Sequence, residues 1–158
     1  YPMSFESLAE KFSWYCEQWE KPGHKTNNRK AMVTFMAHMA DTEEQAINEA
    51  KAALQEHAST FVKVMQGRQW DRDYKSNISV LLKMCESDDW RDVFRRRTLI
   101  CTPEQAAERI SNYIDLGFTE IAIISRFAGI THEQNMATMR RITDEVLPTI
   151  GQALHANT

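Results

Sequence analysis

Apolar residues recur at spacings of three and four between Ser4 and Glu20, where Phe5, Leu8, Ala9, Phe12, Tyr15, Cys16 and Trp19 form one stripe. That spacing predicts an amphipathic helix, ended by Pro22-Gly23. From Ala31 to Ala40 the run AMVTFMAHMA is apolar almost without interruption, with Val33, Thr34 and Phe35 at its centre. Continuous apolar character suits a parallel strand covered on both faces, and a short buried helix shares the pattern. Asp41-Thr42-Glu43-Glu44 then supplies capping side chains and an acidic first turn for an Ala-rich helix reaching about Met65. Between Gly67 and Arg97 the periodicity weakens, which predicts a helical insertion with short helices at Ile78 to Cys85 and Asp88 to Arg96.

The last third is the most legible. Thr102-Pro103-Glu104-Gln105 offers a capping Thr, a Pro at the first helical position and a Gln placed to close a capping box. Ala106, Ala107, Ile110, Tyr113 and Ile114 form the apolar face of that helix, and Gly117 falls where a left-handed C-terminal residue belongs. Phe118 to Ile124 reads as a second buried strand. His132 to Val146 reads as a helix with Met136, Met139, Ile142 and Val146 turned inward and Pro148 as its stop. Helices alternating with two parallel strands define an α/β chain. The strands stand roughly 80 residues apart, far beyond the about 30 of an ordinary crossover unit. With no repeat and no Gly/Ser linker, residues 1–158 read as one domain carrying an insertion at about 67–97.

Two apolar parallel strands alone leave backbone N–H and C=O groups unpaired along their edges. The expected remedies are strands from a portion of the protein absent here, strands from another chain, or pairing between copies of this chain. A first residue of Tyr1 rather than Met favours the first or third, so a homo-oligomer or pairing with a missing half is expected.

Composition narrows the function classes. Nineteen Lys and Arg against 22 Asp and Glu give a net charge of −3, with 42% hydrophobic residues, 5 Gly and 4 Pro. These values fit an ordinary globular domain and exclude disordered and collagen-like classes. No apolar run approaches the roughly 18–20 residues of a membrane span, and no signal peptide is visible, so neither membrane insertion nor secretion is expected. An acidic balance argues against nucleic acid. Arg95-Arg96-Arg97, with Arg91 a turn earlier, reads either as a phosphate contact or as a solvated face. Cys16, Cys85 and Cys101 form no CxxC pair and read as small buried hydrophobes in a cytoplasmic protein.

The chain carries no GxGxxG, Walker loop, GxSxG or HExxH pattern, and its five histidines include no i, i+4 ligand pair, so no metal site is expected. His38 lies near the carboxyl end of the first strand, where α/β proteins hold ligands, and reads as a rim residue or as a structurally satisfied histidine. Arg126 and Phe127 follow the second strand at the same end; Arg126 suits a bidentate anion contact or an ion pair with Glu133. Trp70 and Tyr74 suit an aromatic cover over a planar ligand or a plug fixing the insertion to the body. No catalytic acid or base is assigned.

The segments TPEQAAERISNYIDLGFTEIAII and HEQNMATMRRITDEVLP resemble the carboxyl-terminal end of the luciferase-like flavin-dependent monooxygenases. AMVTFMAHMADTEEQA resembles the strand and helix start preceding it in that family. The resemblance runs from about Ser4 to Pro148 and is weakest across the insertion. It implies the carboxyl-terminal portion of a (β/α)8 TIM-type barrel, with only the last two strands present. It further implies reduced FMN supplied by a separate flavin reductase, O2 and an organic substrate, a deazaflavin enzyme being a close variant. The family's flavin-phosphate grip and active-site histidine lie largely in the earlier half, so no catalytic residue carries over and this chain alone is expected to be inactive. The insertion corresponds to a mobile loop over the family's active site, which adds weight to Trp70, Tyr74 and Lys75. The alternative is a truncated, non-catalytic paralogue acting as an assembly partner. A weaker third reading is a helical regulatory domain binding an aromatic ligand through Trp70, Tyr74 and Trp90.

Overall fold

The computed structural model describes residues 5–23, 29–65, 95 and 97–156. Its elements in chain order are α1 (Phe5–Trp19), β1 (Met32–Met39), α2 (Glu43–Met65), β2 (Leu99–Cys101), α3 (Pro103–Leu116), β3 (Glu120–Ile124), α4 (His132–Arg141), a π-helical turn (Ile142–Val146) and α5 (Leu147–Ala156). The expected short helices within 67–97, with Cys85, Arg91 and Trp90, lie outside the described residues except for Arg95, which is helical.

Local chemistry sets the boundaries. The Thr102 hydroxyl accepts the Gln105 N–H while the Gln105 side chain accepts the Thr102 N–H, closing the capping box at α3. Thr131 and Gln134 repeat the device at α4. Such a cap is worth about 1 kcal/mol. Thr42 caps α2 by accepting the Gln45 N–H at 3.1 Å. Gly117 takes the left-handed conformation, φ 107°, and lets α3 end against α1, where an added Cβ would stand 3.3 Å from the Phe12 ring.

The two strands legible in the sequence pair directly and in parallel, Val33 with Ile121 and Phe35 with Ile123. A third strand, β2, pairs with the carboxyl half of β1, His38 opposite Ile100. The strand order β2-β1-β3 puts β1 in the centre. The chain therefore steps to one side of β1 and then crosses to the other. Reversing direction while keeping the right-handed crossover that parallel strands favour puts the connecting helices on opposite faces. The side chains agree. Met36, Ala40 and Ile100 pack against Ala46, Ile47, Ala50, Ala53 and Leu54 of α2. Val33, Phe35, Ala37, Met39, Leu99 and Cys101 pack against α1, α3 and the α5 region through Phe12, Ala106, Ala107, Ile110, Tyr113 and Ile150.

Several expectations are corrected here. The strands number three among the described residues, not two, because Leu99–Cys101 is a fully buried strand. The described residues show a helix-rich α/β unit with a small parallel sheet, β1 between β2 and β3 and helices on both faces, and no closed barrel. β1 is buried along most of its length and the short β2 throughout. β3 is half-exposed, since it is an edge strand and α2 covers only the carboxyl half of the α2-side face, leaving Met32 and Ile124 uncovered. Pro148 does not end the last helix. A proline removes its own N–H and crowds the carbonyl four residues back; the π turn over Ile142–Val146 widens the helix one turn earlier, the Leu147 N–H bonds Ile142 O, and α5 continues to Ala156. Met139 is exposed, and the α4 residue turned fully inward is Thr138.

Candidate functional site

The carboxyl end of β1 is the position at which parallel α/β sheets hold ligands, and here it is roofed by protein. The Met39 N–H donates to the Thr138 hydroxyl at 3.2 Å, and the Ala40 N–H to Cys101 O at 3.4 Å. Arg141 pairs with Asp41 at 2.5 Å beside them. The loop after β3 turns Phe127 and Ile130 into the α2 cluster. Gly129, at φ 81°, permits the approach, because an added Cβ would lie 3.1 Å from the Ala53 Cβ and 3.2 Å from its Cα.

His38 is 1% exposed and faces α2. Its Nε2 lies 2.7 Å from Glu49 Oε2, and the other carboxylate oxygen accepts from Gln45 Nε2 at 2.7 Å. A carboxylate only accepts, so Nε2 carries the proton and a neutral ring has its lone pair on Nδ1. That buried Nδ1 has no hydrogen-bond partner. Burial pushes the Glu49 carboxyl up, but the hydrogen bonds from Gln45 and His38 and the charges of His38 and Arg141 outweigh it, so Glu49 titrates below an ordinary glutamate.

Arg126 is exposed and forms no ion pair with another described residue; the alternative partner, Glu133, has its carboxyl held low by its own backbone N–H and by the Thr131 hydroxyl. His38, Arg126 and Phe127 therefore belong to one end of the sheet, but His38 and Phe127 point into packed protein and Arg126 into solvent. Trp70, Tyr74 and Lys75 lie outside the described residues. Cys101 is fully buried, its thiol pushed up to about 12 by burial, and Cys16 is half-buried. No three His, Cys, Asp or Glu groups among the described residues converge as metal ligands. No helix among them is long and apolar enough to cross a membrane.

Sequence reasoning missed two groupings. One is Glu49, signalled only by a carboxylate set beside the Ala46, Ala50, Ala53 stripe of α2. The other is a charge cluster in which Glu43 accepts from Arg95 Nη2 at 2.8 Å and Arg109 Nη2 at 3.2 Å, while Arg109 Nη1 reaches Thr98 O at 3.1 Å. Beside it, between α1 and α3, lies a cavity of about 110 Å³.

No protein-family model matches the chain, and no curated protein matches it. Among solved structures it is similar to the monooxygenase RslO1 from Streptomyces bottropensis, at 16% identity and a TM-score of 0.59. The likeness covers 90% of this chain and 38% of that one, so the chain spans less than two fifths of the monooxygenase's length. At that identity the likeness is one of fold: the chain is a helix-rich α/β unit arranged like part of a monooxygenase.

A flavin does not fit the described residues by themselves. Phe127, the aromatic expected at the rim, is packed against α2, and His38 is closed off with Glu49. Arg126 is one exposed cation, able to meet an anionic group but not to bed a three-ring system.

Proposed function

We propose that this chain is the carboxyl-terminal part of a cytoplasmic, luciferase-like flavin-dependent monooxygenase that oxygenates an organic substrate with reduced flavin and O2. The observation that carries this reading is the monooxygenase-like arrangement over 90% of the chain, joined to the TPEQAAERISNYIDLGFTEIAII pattern that resembles the same class. If the three-residue β2 is set apart as an accessory strand, β1 and β3 are parallel neighbours connected through helices, as two successive barrel strands are.

On this reading the chain's task is to build wall and rim. The outer edge of β3 accepts a further strand, from the remainder of a (β/α)8 barrel or from a second copy, whose elements would also cover the exposed Met32 and Ile124. Arg126, exposed and unpaired among the described residues, is placed to hold an anionic group of substrate or cofactor. The bed for the flavin ring comes from residues other than those described, with FMN from a separate reductase as the cofactor and a deazaflavin as the variant. The closed packing of His38 and Phe127 favours a second reading, a non-catalytic assembly partner.

The test is oxygenation by the longest product of the gene, supplied with FMN, a flavin reductase and isotopically labelled O2 over a panel of organic acceptors. One labelled oxygen atom per product molecule, formed only with reduced flavin, is expected. Oxygenation that proceeds without flavin, or a product that binds no flavin, contradicts the reading.

A further inference from the structure

We propose that the cavity between α1 and α3 is a binding site for a small aliphatic carboxylate, held by Arg95 and Arg109 and seated on Phe5, Phe35 and Leu99. It lies on the face of the sheet opposite His38, so the proposal is independent of the flavin reading.

The walls differ in chemistry. Phe5 and Phe35 both meet the Tyr113 ring edge-on, at centroid distances of 5.0 and 4.9 Å, which fixes the apolar floor. Arg95, Thr98, Arg109, Asn112 and Glu6 supply the polar lining. Glu43 stands behind the two arginines as their shared partner: Arg95 donates to it through Nε at 2.9 Å and Nη2 at 2.8 Å, and Arg109 through Nη2 at 3.2 Å. A guanidinium has five N–H donors. Among the described residues, Arg95 uses two on Glu43, and Arg109 uses one on Glu43 and one on Thr98 O, which leaves each three toward other groups. Two cations thus share the one carboxylate of Glu43, and Glu6 of α1 lines the same cavity, so the anion belongs beside the arginines and away from Glu6. Arg109 is 23% exposed, and charge-assisted bonds gain strength where water is partly excluded. Burial and the nearby Glu6 push the Tyr113 phenol up, so it remains a protonated donor in the same wall.

Volume selects the ligand. A cavity of roughly 150 Å³ accepts benzene, with its six heavy atoms, so about 110 Å³ takes a short tail whose carboxylate meets the lining arginines. Propionate and butyrate match; a phosphorylated sugar or a flavin does not.

The experiment titrates the isotopically labelled full chain with butyrate, following amide shifts, with butyramide as the uncharged isostere and sodium chloride as the ionic control. Saturable shifts confined to the neighbourhood of Phe5, Glu6, Leu99 and Asn112 are expected, with butyramide weaker by about tenfold or more. Arg95→Gln is expected to weaken butyrate by about tenfold, and Asn112→Trp to block it at the mouth. Arg95 is half-exposed and Asn112 exposed, so an unchanged spectrum elsewhere establishes that both variants keep the fold. No saturable shift at these positions, equal affinity for butyramide, or binding unaffected by either substitution overturns the proposal.

Discussion

His38 shows how a residue can be found by its position and still be misread in its company. Its place near the carboxyl end of an apolar strand is visible in the sequence; its partner, Glu49, lies on the next helix, and nothing in the spacing says that the two meet at 2.7 Å. The pair has a pH signature. Glu49 titrates lower in the folded chain than in the unfolded one, so its contribution is fully present above the unfolded value of about 4.3 and is lost as pH falls through the folded value. Glu49→Gln is expected to lower stability at pH 7 by about 1 kcal/mol or less, since the carboxylate is a third exposed. The gap to the parent should then close as pH falls below the unfolded value of about 4.3. Urea unfolding across that range checks it, and two stability curves that stay parallel would show that Glu49 carries no such linkage. Phe127 and Met139 were legible as apolar but not in direction: the loop through Gly129 turns Phe127 inward, and the face of α4 is set by Thr138, which caps β1.

At the scale of elements, the sequence spoke clearly wherever a boundary has a side-chain mechanism. The Thr102 and Gln105 box, the Pro at its first turn and the left-handed Gly117 all appear as read. β2 was missed because three residues are too few to show a period and lie directly against an arginine-rich stretch. Pro148 looks like a stop in the sequence because its remedy, the π turn over Ile142–Val146, has no sequence signal of its own. Gly129 and Gly23 offer a controlled comparison. Both have positive φ, 81° and 110°, but a side chain at Gly23 meets open space while one at Gly129 meets the backbone of α2 at Ala53. Gly23→Ala is therefore expected to lower stability by about 1 kcal/mol. Gly129→Ala should cost about 2 kcal/mol or more, because strain and overlap add. Equal losses in urea unfolding would mean that the loop after β3 is not seated on α2.

For the whole molecule, the α/β class and the parallel pairing of β1 with β3 were within reach of pattern alone, because each strand is a short apolar run bounded by turn or capping signals. The order β2-β1-β3 was not, since strand order depends on which way each crossover turns, and that is decided by packing between residues far apart in sequence. The same separation explains why the expected rim did not open: the loop and helix that roof β1 arrive about 100 residues later in the chain, with Arg141 on Asp41 and Thr138 on Met39. The central claim is that this unit forms part of a flavin enzyme without itself holding the flavin. Fluorescence titration of the 158-residue chain with FMN, run beside the longest product of the same gene, tests it most directly. Saturable binding by the longer product and none by the short chain is the expected result; saturable binding by the short chain alone would contradict the account.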